Sequence, residues 1–374
     1  TKYFTIDIPA CITDQGEYLA SSQTHSFLLQ NTKFKRNLID YLMQKFIDYS
    51  VQGDIRSRFS LIIDAPTFGT SPRMVFSTEP GHTRICDCSD RTNNKGEADY
   101  GVWLHSLKSN CPNTMILSSD SDVYMYGLSL SHFVAHKKNM FVELKVGQYI
   151  NIAALSEKIN SIFGNCVVVM VMYFLSGCDY ISSFYKTKGS QWLSSYLLHK
   201  EYITSGGGKS LSVFNTETHT LQLDSAVFLR LVTIVYLAKH KKLYQHICDS
   251  PSELCMMLSR SNKHSSEMNQ LLDWLGYSAS KRSFETESDL LDFTRRVCYF
   301  EHNSSSELYK MIPPSDSALL LHIKRVQYVS SMAVQSVINI SDLYTKYTSF
   351  GWKNDDNLIS VIWEENLPHT LGPN

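Results

Sequence analysis

Glu97, Asp99, Asp120, Asp122 and Asp179 stand in three short clusters, Gly96-Glu97-Ala98-Asp99, Ser119-Asp120-Ser121-Asp122 and Gly177-Cys178-Asp179-Tyr180. Carboxylates held a few ångströms apart cannot all stay ionised unless a cation neutralises them. If the fold gathers the clusters, they make an oxygen-lined cage for a divalent metal, and the chemistry of such a cage is phosphodiester hydrolysis. Each cluster also has a plain structural account. Glu97 and Asp99 at a helix start favour the dipole by a few tenths to about 1 kcal/mol, and an aspartate after a buried strand commonly caps the next helix. Asp179 fits a solvated loop less well, because it follows a fully apolar run. The conjunction of all three is rarer than any one.

The elements that must position these groups read as alternating strands and helices. Residues 35–49 carry Leu38, Leu42 and Phe46 on one stripe, which is amphipathic helical spacing. Residues 58–66 are a short apolar run closed by Asp64-Ala65-Pro66, a buried strand whose last residue faces a cleft. Residues 79–96 read as an exposed loop, 98–107 as a helix, 114–119 as a strand, and a helix starts at Asp122. A third strand at 139–144, a turn at Gly147 and a helix through Ile159 complete the series. This order predicts an α/β fold with a mostly parallel sheet covered on both faces, binding its ligand beyond the carboxyl ends of the strands, where Asp64 and Asp120 fall. The run from Cys166 to Leu175 is about half the length that spans a bilayer and reads as a buried core helix. Past residue 200 the chain turns mostly helical, with stretches near 225–240, 252–260, 266–275, 287–300 and 316–337, the last preceded by a Pro313-Pro314-Ser315-Asp316 break and cap. The expected division is an α/β domain over 1–200 and a helical region over 201–374.

At 374 residues, with 43% apolar and 12% aromatic content, the chain is long and apolar enough to bury sizeable cores, which excludes extensive disorder. A formal net charge of −1 gives no global attraction to nucleic acid or acidic lipid, so any such contact must be local. Lys186 and Lys188, and then Lys239, Lys241 and Lys242, are local basic runs that a solvated helix face also explains. Nine scattered cysteines give no disulfide framework, and Cys86-x-Cys88 lacks the second pair a zinc site needs. Gly208-Lys209-Ser210 fails as a phosphate loop, because Ile203 stands where the motif needs its first glycine. No signal peptide or membrane partner is expected, and the setting is intracellular, the nucleus ahead of the cytoplasm. A first residue other than methionine suggests that chain has been removed upstream.

Glu97-Ala98-Asp99, Ser119-Asp120-Ser121-Asp122 and Gly177-Cys178-Asp179-Tyr180 resemble the acidic motifs of PIN-like nucleases of the flap endonuclease and XPG superfamily. Leu175-Ser176-Gly177-Cys178-Asp179-Tyr180, then Phe184-x-Lys186-x-Lys188-Gly189, is most similar to PIN-like proteins encoded by animal transposable elements. Pro313-Pro314-Ser315, Lys324-Arg325-x-x-Tyr328 and Phe350-Gly351-Trp352 extend the likeness, which covers about residues 31–370. The resemblance implies that Glu97, Asp99, Asp120, Asp122 and Asp179 serve catalysis by holding one or two ions, with Asp64 as a sixth ligand. Oxygen-only ligands suit Mg²⁺ or Mn²⁺. The family's first-strand aspartate has no clear match; Asp7 lies in a strand-like setting, but too little chain follows it.

The resemblance further implies that residues 182–197 form a helix-hairpin-helix on the nucleic-acid backbone, with Lys186 and Lys188 toward phosphates and Gly189 allowing close approach. The expected activity is metal-dependent hydrolysis of structured DNA or RNA. The alternative is a PIN-like scaffold without activity that binds nucleic acid or protein, which the unmatched ligand and near-zero net charge favour.

Overall fold

Short apolar runs such as Ser60-Leu61-Ile62-Ile63 become strands because β-branched and large apolar side chains pack well on a pleated, half-buried surface. The computed structural model describes residues 41–42, 60–63, 73–79, 82–87, 98–108, 111–118, 120–133, 139–145, 147–178, 180–205, 210–215, 220–260, 263–278, 280, 282–338, 347–355 and 358–362. The chain divides into two compact units, Thr1–Glu97 and Ala98–Asn374. In the first, β1 (Ser60–Ile63), β2 (Arg73–Glu79) and β3 (His82–Asp87) form an antiparallel sheet in that order. β3 corrects the expected loop over 79–96. Val75 pairs with Ile85 and Glu79 with His82, and Thr83 and Ile85 supply the β-branched pattern. Of the helix expected at 35–49, only Tyr41 and Leu42 lie among the described residues, and both are helical.

The second unit begins with α1 (Ala98–Lys108), β4 (Asn113–Leu117), α2 (Ser121–Phe133), β5 (Asn139–Lys145) and β6 (Gln148–Asn151). β4 and β5 pair in parallel across α2, and β6 returns antiparallel to β5. Among the described residues the parallel component is confined to that pair. The chain is therefore a mixed α/β protein in which helices predominate over small sheets. Asn151 accepts from the Ala154 N–H to start α3 (Ile152–Phe163), and Asn165 accepts from the Val167 N–H to start α4 (Cys166–Ser176).

α4 is apolar all round, and a helix of that kind has no face for solvent. Val167, Met170, Val171, Phe174 and Leu175 are buried, each burial worth about 1.5–3 kcal/mol. Its neighbours are α2, α3, α5 (Gly189–Leu198) and the 23-residue α10 (Asp316–Ile338). Among the described residues no single helix is long and apolar enough to cross a membrane; α3 and α4 pass that measure only as a pair, bent by 87°.

The helices beyond residue 200 start where capping residues stand. Asp224 caps α6 (Ser225–Leu237), Ser265 caps α8 (Ser266–Trp274), and Thr286 with Asp289 forms a capping box on α9 (Glu287–His302). Between them lies α7 (Pro251–Arg260), and the Ser315 hydroxyl accepts from the Ala318 N–H at the start of α10. These helices share one core with residues 98–200, α10 packing on α1, α2, α4 and α6.

Two antiparallel hairpins interrupt the helical region: β7 (Ser212–Asn215) with β8 (Thr220–Leu223), and β9 (Trp352–Asp355) with β10 (Leu358–Val361). β8 rests on α10, where the Ser331 hydroxyl accepts from the Leu221 N–H at 3.0 Å.

α1 and α2 approach closely at Gly127. The fully buried Trp103 donates its indole N–H to the Val123 carbonyl at 2.7 Å, and a Cβ at position 127 would lie 2.4 and 2.6 Å from two ring carbons of Trp103. The ring is rigid and enclosed. Gly127→Ala is expected to cost about 1–3 kcal/mol, the usual range for overpacking, read as a lowered urea midpoint at unchanged slope.

Candidate functional site

β4 ends at Leu117, and the chain passes through Ser118 to Asp120 before α2 begins at Ser121. The Asp120 N–H donates to the Ser118 hydroxyl at 3.1 Å, and the Asp122 N–H donates to Asp120 Oδ1 at 3.0 Å. Asp120 thus caps α2 as the local signal predicts, and its exposed side chain stands at the end of a parallel strand. Asp122 is only 8% exposed. The Tyr173 hydroxyl, from α4, donates to Asp122 Oδ1 at 2.5 Å, and Ser121 Oγ lies 2.7 Å from the same hydroxyl. With Tyr173's single proton committed to Asp122, Ser121 is the donor to Tyr173. Burial, and then the hydrogen bond to Asp122, push the Tyr173 phenol far above its ordinary pKa, so it remains a donor at any physiological pH. Asp120, Ser121, Asp122 and Tyr173 therefore form one oxygen-rich patch between α2 and α4.

Asp99 lies in the first turn of α1 and is half-buried. Glu97 and Asp179 lie outside the described residues, as does Asp64, directly after β1 in the other compact unit. The residues flanking Asp179 are described. Cys178 and Ile181 exchange backbone hydrogen bonds of 2.9 and 3.1 Å, closing a tight loop just past α4. The helix that brings Tyr173 to Asp122 thus leads straight into the loop that carries Asp179. The oxygen-only donors Asp120 and Asp122, one exposed and one oriented by a buried hydroxyl, fit a hard divalent cation.

Of residues 182–197, only those from Gly189 on are helical, so α4 and α5 are joined by an irregular loop. Lys186 and Lys188 are exposed in it. Lys186 adopts a left-handed backbone, φ 51°, uncommon outside glycine, and its ammonium lies 5.1 Å from the Tyr185 ring centroid. The Tyr185 hydroxyl donates to Glu307 at 2.5 Å, the Lys188 N–H donates to the Gln191 side chain at 2.9 Å, and Gly189 opens α5. The loop thus sets two exposed lysines beside an aromatic ring that is itself bonded to the Glu307 carboxylate.

A further chemical group lies outside the sequence-based set. His240, Glu301 and His302 place one ligand atom each within 4.8 Å of one another. His240 is buried, and that burial holds its imidazole below the ordinary histidine range, with the Glu301 carboxylate acting in the opposite direction. The signal in the sequence was Cys298-x-x-Glu301-His302, whose spacing sets all three on one helix face. Comparison of this chain with family models, with curated proteins and with solved structures finds no match.

Proposed function

We propose that this protein is a PIN-like nuclease, a divalent-metal-dependent hydrolase of phosphodiester bonds in structured DNA or RNA. The observation that carries this reading is the Asp120/Asp122 pair at the end of the parallel strand β4, with Tyr173 of α4 orienting Asp122. Asp120 and Asp122, joined in the proposal by Asp99 and Asp179, would hold Mg²⁺ or Mn²⁺. The ion supplies charge stabilisation at the phosphate when bound. The chain's own part is to aim the carboxylates: the phenol donates to Asp122, and the N–H of Asp122 fixes Asp120. Lys186 and Lys188 would take backbone phosphates, and Gly189 would allow the close approach.

Purified protein with Mn²⁺ or Mg²⁺ is expected to cut flap, hairpin or single-stranded substrates, and Asp120→Asn/Asp122→Asn to lower the rate at least tenfold. Absence of cutting with either ion, or equal cutting by the double variant, refutes the assignment.

A scaffold without activity is the second reading, favoured by the unmatched first-strand aspartate and the net charge of −1. Calorimetric titration with Mn²⁺ separates the two. A nuclease binds the ion and melts at a higher temperature with it, and a scaffold does neither.

A further inference from the structure

We propose that His240, Glu301 and His302 bind one zinc-class divalent cation, clamping the turn after α6 to the last turn of α9. Three observations converge on this. The first is the donor set: two imidazoles and a carboxylate prefer zinc and its neighbours over Mg²⁺ or Ca²⁺, which seek oxygen alone.

The second is geometry. Glu301 contacts His240 Nδ1 directly, the His240 and His302 ring centroids are 5.5 Å apart, and the three ligand atoms already lie within 4.8 Å of one another. Tetrahedral ligands about 2.0–2.1 Å from zinc stand roughly 3.3 Å apart, so His240 and Glu301, now in contact, must open to admit the ion while the wider pairs close, each movement on the order of an ångström. Glu301 and His302 occupy the exposed end of α9, where side chains can make that movement.

The third is orientation of the buried ligand. Cys298 Sγ lies 3.4 Å from His240 Nε2, on the side of the ring away from Glu301. An ion binding there would replace the Nδ1 proton that now faces the Glu301 carboxylate, and the proton left on Nε2 would be directed to that sulfur. Metal-bound histidines characteristically use their second ring nitrogen in this way. Three protein ligands leave a fourth position for water.

The neighbouring Lys239, whose charge is felt at His240, has partners of its own. The Lys239 ammonium lies 4.8 Å from the Tyr236 ring centroid and donates to the Lys186 carbonyl at 3.4 Å. An ion on His240 would therefore brace the turn from which Lys239 reaches the basic loop at Lys186. The site is independent of the Asp120/Asp122 patch in ligands and in preferred metal.

The test uses the full chain, stripped with a chelator and dialysed. Titration with ZnCl₂ is expected to show one saturable site and a raised melting temperature, and Glu301→Gln/His302→Gln to weaken binding at least tenfold. Both replaced residues lie at the helix end, and circular dichroism checks that the variant folds. X-ray absorption of the zinc-loaded natural chain needs no variant and is expected to show nitrogen and oxygen ligands without sulfur. Failure to bind zinc, unchanged affinity in a folded double variant, or a sulfur-rich coordination shell overturns the proposal.

Discussion

Gly177→Ala is expected to destabilise the protein by about 2–6 kcal/mol, combining overpacking and backbone strain of roughly 1–3 kcal/mol each. Gly177 ends α4 with φ 113° and ψ 141°, a conformation that side chains with a Cβ rarely adopt. A Cβ there would stand 2.5 Å from Ser183 Cα and 2.8 Å from Ser183 N, both backbone atoms. The loop cannot easily yield, because Cys178 and Ile181 lock it by paired hydrogen bonds and the Ile181 and Phe184 side chains are buried. Urea denaturation checks the size of the effect. Gly189→Ala is the control: its Cβ would meet only Ser176 Oγ at 3.5 Å, so its midpoint should stay near that of the natural protein. A Gly177→Ala midpoint equally unchanged would mean that the loop relaxes at little cost. Asp179 follows two residues later, so the same substitution should weaken Mn²⁺ binding if Asp179 is a ligand.

What could be read from the sequence is what depends on neighbours along the chain. Helices α6, α8, α9 and α10 begin where Asp224, Ser265, Thr286 and Ser315 stand, because a cap satisfies its own helix's first N–H groups. β4 and β5 were legible as strands from their apolar runs, although β4 is not the buried strand its composition suggests, since Met115 and Leu117 are exposed and Ile116 alone is buried; α4 was legible as a core helix by the absence of any polar face. The hairpins β7–β8 and β9–β10 were not. Each strand is four residues long, and pairing with a partner stabilises so short an element more than its own composition does.

The same division runs through the candidate sites. Asp120 and Asp122 share one turn and were found together. Tyr173 lies 51 residues from Asp122, in a run that reads as core; its hydroxyl was the one polar group in Val167-Val168-Val169-Met170-Val171-Met172-Tyr173-Phe174-Leu175 and the available hint. His240 and Glu301 are 61 residues apart, and only the packing of α6 against α9 brings them together.

Acid is expected to remove about 3 kcal/mol of stability through one side chain, His322. On α10 it is buried with its ring parallel to Phe228, centroids 6.0 Å apart and planes at 6°, and with Phe184 edge-on at 4.7 Å. Its Nε2–H donates to the Leu175 carbonyl at 3.1 Å, near the end of α4. Burial brings its pKa down to about 4; the neighbouring Arg325 charge acts in the same direction and the Leu175 carbonyl against both. The unfolded chain titrates near pH 6.5. Between these values the unfolded state binds a proton that the folded state refuses, so stability is full above pH 6.5 and falls by about 1.4 kcal/mol per unit toward pH 4. Protonation leaves the Nε2–H bond to Leu175 in place, so the loss reflects charge forced into an apolar site. His322→Gln can keep a donor near Leu175 but cannot titrate. Urea unfolding at pH 7 and pH 4.5 should show the natural protein losing at least 2 kcal/mol more than the variant, and equal losses would place the acid sensitivity elsewhere. Because His322 holds the end of α4, hydrogen exchange in the Cys178–Ile181 bridge should rise over the same pH window, after correction for the intrinsic pH dependence of exchange, if local opening precedes global unfolding.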